Sequence, residues 1–85
     1  MHTVELLDQA LAAARKLGIR IRQEWLTTPG GLCEFNGRRW LFIDQGAPPA
    51  EQLGVVLDAL RAIPDLQQIR LSHDLQQRLQ LAKSA

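Results

Sequence analysis

Eighty-five residues, 46% hydrophobic and 22% charged, define one small globular domain spanning residues 1–85, near the lower limit at which a chain buries enough surface to fold alone. Ten basic against nine acidic side chains leave a net charge of +1, which excludes a broadly basic polyanion-binding surface and confines any such site to a local patch. The single cysteine, Cys33, excludes an internal disulfide and a cysteine-built zinc site, and points to a reducing, cytoplasmic setting.

Met1-His2-Thr3-Val4-Glu5 has no basic n-region and no following apolar core, so no secretory leader is expected. No apolar run approaches the ~20 residues of a membrane span. From Thr3 to Leu17, Glu5, Asp8 and Lys16 fall to one side at helical spacing. Val4, Leu7, Leu11 and Ala14 fall to the other, with Leu6, Ala10, Ala13 and Leu17 beside them. The segment predicts a helix that Gly18 stops.

Ile19 to Leu26 changes to period two. Ile19, Ile21 and Trp25 share one face, and Arg20, Arg22 and Glu24 the other, so the segment predicts a strand with one buried side. Thr27-Thr28-Pro29-Gly30-Gly31 is a turn. It leads into Leu32-Cys33-Glu34-Phe35, then Asn36-Gly37, then Arg38 to Ile43. Two strand-like runs joined by Asn-Gly are the strongest short-range hairpin signal, because both turn residues must accept positive φ.

With Asn36 and Gly37 as the turn, Phe35 pairs with Arg38, Glu34 with Arg39, Cys33 with Trp40 and Leu32 with Leu41. Cys33, Phe35, Trp40 and Phe42 then share a face. Joined by Ile19, Ile21 and Trp25, they make an aromatic surface expected to form the core against the helices.

Asp44 ends this strand beside a Gly-containing loop, where a turn or capping role suits it. Pro48-Pro49 opens a second helix with Leu53, Val56, Leu57, Leu60 and Ile63 as its stripe, closed by Pro64. Asp65 to Leu71 reads as either a short extended piece or a connector. Ser72 caps a last helix over 73–83, with Leu75, Leu79 and Ala82 as a narrow stripe. The expected architecture is α+β: helix, three-stranded antiparallel meander, two helices, with the helices on one sheet face.

A hydrolytic metal site needs at least three converging ligands, and His2 and His73 are the only histidines, both read as solvated. Strand alternation turns Cys33 inward as a small hydrophobe rather than a nucleophile. Gly30-Gly31 precedes a strand instead of a helix, so it presents no helix N-terminus to a phosphate. No catalytic constellation, metal site or cofactor site emerges.

Two surfaces remain. Leu26, Leu32, Leu41 and Ile43 fall on the sheet face expected to lie away from the helices, which makes them a candidate interface for a second copy or a protein partner. Arg20, Arg22, Arg38 and Arg39 form a candidate polyanion patch, where guanidinium planes near Trp25 or Trp40 suit bases. Cross-strand ion pairs with Glu24 and Glu34 are the competing explanation of that patch.

The segments Leu17 to Ile21, Gly30 to Asp44 and Pro49 to Leu53 resemble in layout the middle of ImmA/IrrE-type zinc peptidases, over about residues 5–62. Those enzymes set a His-Glu-x-x-His motif on the helix after the sheet. Here the corresponding stretch, Gln52 to Leu60, contains no histidine, so the resemblance implies a reduced, non-catalytic relative. The chain is also similar to small bacterial proteins of unassigned role that share the Gly30-Gly31-Leu32-Cys33 and Gly37-Arg38-Arg39 patterns. The expected function is a non-enzymatic interaction or regulatory module, self-associating, with local polyanion or nucleic-acid binding as the alternative.

Overall fold

A computed structural model describes residues 3–27 and 30–83. His2, the Thr28-Pro29 part of the expected turn and the side chain of Ala82 lie outside the described residues. The order is α1 (Thr3–Lys16), β1 (Arg20–Glu24), β2 (Gly30–Phe35), β3 (Arg38–Asp44), α2 (Pro49–Arg61), a 3-10 turn (Pro64–Gln68) and α3 (His73–Lys83). The protein is an α+β domain.

Each helix starts and stops on local chemistry. Gly18, at φ 82°, ends α1: its N–H donates to the Arg15 carbonyl and the Ile19 N–H to the Ala14 carbonyl, both at 3.0 Å. That double bond pattern needs a left-handed residue, which glycine adopts without strain. At α2 the Pro48 carbonyl accepts from Glu51 and Gln52, and the Gln52 side chain turns back to the Ala47 carbonyl at 2.8 Å. Ser72 caps α3, its Oγ accepting from the Leu75 N–H at 3.2 Å and donating to Gln9 Oε1 of α1. The undecided segment 65–71 resolves mostly into the 3-10 turn, opened by Pro64.

The sheet corrects the expected meander. Its order is β1-β3-β2, with β3 central, antiparallel to β2 and parallel to β1. The hairpin register is the one that Asn36-Gly37 specifies, with those residues at φ 55° and 75°. After β1, however, the chain passes over the end of β3 and enters the far edge strand. The reason is visible at that end: Asp44 Oδ1 accepts from the Leu26 N–H at 3.3 Å and the Gly46 N–H at 3.0 Å, tying crossover and exit loop to one carboxylate. Asp44 thus takes the turn role expected of it.

Parallel pairing also inverts the expected core. Ile21 lies opposite Leu41, which lies opposite Leu32, so these three share the helix-facing side. Leu41 and Ile43 are fully buried (0% exposed). They pack with Leu6, Leu7, Ala10 and Leu11 of α1, Leu53, Val56, Leu57 and Leu60 of α2, and Leu75 and Leu79 of α3. This core is wholly aliphatic. Leu41 and Ile43 are therefore core residues instead of interface residues; Leu32 packs against that core, and Leu26 is half-buried in the crossover. Conversely Cys33, Phe35, Trp40, Phe42 and Trp25 are not core residues. β3 is apolar on both sides, so its own alternation chooses neither. The choice falls to β1, whose Arg20 and Arg22 lie opposite the aromatic residues and would have to be buried if those turned inward, Arg20 without a counter-ion.

Candidate functional site

The helices lie on one side of the sheet, α1 against β1 and α2 against β2 and β3, and among the described residues no helix covers the other side. Two transverse rows cross it. Arg20, Trp40 and Cys33 make the first, and Arg22, Phe42 and Gly31 the second. Phe35 and Arg38 face each other beside the turn. Strand alternation brings these residues together because all sit at one parity of the register.

The central rings are ordered by their neighbours. Trp40 and Phe42, two residues apart on β3, have centroids 6.4 Å apart and planes within 20°. The Arg20 guanidinium lies over the Trp40 ring, 5.6 Å from its centroid, within cation–π range. Arg22 reaches along its own strand to Glu24, Nε donating to Oε2 at 2.9 Å. Gly31, opposite Phe42, offers no side chain of its own. Phe35 is 67% exposed at the hairpin end of the face, and Trp25, just after β1, is 77% exposed. Trp25 covers Gly46, where an added Cβ would lie 2.5 Å from the indole.

The four sequence-predicted arginines separate. Arg20, Arg22 and Arg38 share the aromatic side, whereas Arg39 has the parity of Leu41 and projects to the other side of the turn. Arg20, Arg38 and Arg39 meet again at the hairpin end, where they line a cleft of about 380 Å³ with Leu17, Gly18, Glu34 and Gly37. Among the described residues none of these three forms an ion pair. Asp44, at the other end of β3, lines a second cleft with Glu51, Gln52 and Asp58 of α2 and with Thr27.

Cys33 is exposed beside Trp40, which corrects its expected burial. His73 opens α3, exposed. Among the described residues no group of three or more His, Cys, Asp and Glu side chains is placed to hold a metal ion, and no helix is long and apolar enough to cross a membrane. Hydrophobicity alone does not reveal Phe35, Trp40 and Phe42 as surface residues. The available signal is their companionship with Arg20 and Arg22, which share their face once β1 pairs with β3.

No protein-family model matches the chain, and neither the curated proteins nor the solved structures contain a significant match.

Proposed function

We propose that this protein is a non-enzymatic binding module whose working surface is the outer face of its sheet. One observation carries the reading: all four aromatic residues of the chain stand outside an aliphatic core, and three of them, Phe35, Trp40 and Phe42, share the sheet face away from the helices. Aromatic rings are large apolar groups, and folding favours burying them. A small domain that fills its core with Leu, Ile, Val and Ala and leaves every ring outside has a surface suited to contact with another molecule.

Self-association is the second reading, favoured by the exposure of Phe35 on this face and of Trp25 after β1. Sedimentation across a dilution series tests it directly. The working-surface reading is tested by the thiol of Cys33, which shares a row with Trp40. In dilute native protein a disulfide reagent should modify it nearly as fast as in the unfolded chain. Protection at every dilution would mean that the face is covered within the monomer, and the reading would fail.

A further inference from the structure

We propose that the open sheet face binds single-stranded nucleic acid, with bases received on Trp40 and Phe42 and the backbone held by the arginine cleft at the hairpin end. This rests on the reading of that face as the working surface and names its ligand class. Three observations carry it.

The first is chemical. Base stacking needs rings with accessible faces and tolerates any base, and guanidinium planes beside the rings extend the platform. Here Arg20 joins the two halves of the site, lying over Trp40 while lining the cleft with Arg38 and Arg39.

The second is charge. Arg20, Arg38 and Arg39 form no ion pair among the described residues, whereas Glu24 and Asp44 pair in register at the far end of the sheet. A phosphate chain is thus drawn to the hairpin end. A second copy docked with its hairpin end over this one would bring Arg20 and Arg38 against the same residues, so the hairpin half of the face complements a polyanion better than it complements itself.

The third is spacing. The Trp40 and Phe42 centroids lie 6.4 Å apart. Successive bases in a duplex strand lie only ~3.4 Å apart, so the two rings suit a strand whose bases have been drawn apart, and a closed duplex cannot supply one.

The test measures anisotropy of a labelled mixed-sequence oligonucleotide of about eight nucleotides, within the range of single-strand site sizes, as RNA and as DNA, single-stranded and duplex, at low salt. Single strands should bind, duplex should bind more weakly, and bound strand should protect Cys33 from the disulfide reagent. Trp40→Ala should weaken binding roughly tenfold or more. Arg20→Gln, Arg38→Gln and Arg39→Gln should each flatten the log–log salt dependence by about 0.7 for every phosphate that the variant no longer neutralises. Absence of binding at low salt overturns the proposal, as does binding that Trp40→Ala leaves unchanged and that fails to protect Cys33.

Two failures are distinguishable. If no strand binds while Cys33 becomes protected as protein concentration rises, the ligand class is wrong, the working surface stands, and a second copy is its occupant. If Cys33 is unreactive at every dilution, the working surface falls as well.

Discussion

The two sides of β3 are made of equally apolar residues and end in opposite environments. Leu41 and Ile43 are sealed between two helices and the flanking strands, whereas Trp40 and Phe42, their immediate neighbours in sequence, lie among arginines with no helix above them. The difference teaches that hydrophobicity along a central strand says it is central, and its neighbours decide which side is dry. β1 makes the choice by presenting Ile21 beside Leu41 and Arg20 and Arg22 beside the rings. Turning the strand over would bury two guanidinium groups, only Arg22 with a carboxylate beside it, to gain two aromatic rings, and desolvating that charge outweighs the gain.

The contrast can be broken most directly by truncation on either side. Leu41→Ala should lower stability by about 2–5 kcal/mol, because its site is enclosed and cannot collapse fully. Trp40→Ala, although it removes more atoms, should cost at most about 1 kcal/mol, the range of a cross-strand surface pair. Urea unfolding of both variants reads the ratio, and equal losses would show that the outer rings are structural.

Gly30 sharpens the comparison from the β2 edge. It lies opposite Ile43 at φ 89°, and an added Cβ would stand 2.1 Å from the Phe42 carbonyl oxygen. Gly30→Ala should destabilise the hairpin by more than about 1 kcal/mol through backbone displacement, and thermal unfolding will detect it. A neutral result would mean that β2 does not approach β3 this closely.

A similarly small effect is expected where the two sides meet, at the end of β3. Asp44→Ala removes the acceptor for the Leu26 and Gly46 N–H groups, both near the surface where water can replace it. The loss should be about 1 kcal/mol. Its more specific signature is faster amide exchange at Leu26 and Gly46, with the protection of Leu41 unchanged.

Much of this arrangement is legible in the residues. Helical periodicity locates α1 and α2, Ser72 marks the start of α3, and Asn36-Gly37 sets the hairpin register pair by pair. A turn sets register between two strands and is silent about the third. The neighbour of β1 depends on pairing between residues 20–24 and 40–44, and no local motif encodes it. Without that pairing, size assigns the large rings to the core and leaves Leu32, Leu41 and Ile43 to the surface by remainder. The arginines are recognisable from charge as a candidate patch. Their aromatic companions are not, because Trp and Phe in a strand are read as interior by default.

The insertion of β3 between its two partners has a consequence for how the chain assembles. During synthesis β1 emerges with no neighbour to pair with, and β2 cannot serve, since it belongs at the far edge. The β2–β3 hairpin is a local pairing of the kind that closes on the microsecond scale, whereas pairing β1 with β3 closes a loop of about twenty residues and carries the larger entropic cost. The topology therefore places the slower pairing at the β1 edge, the one that Asp44 ties at its end.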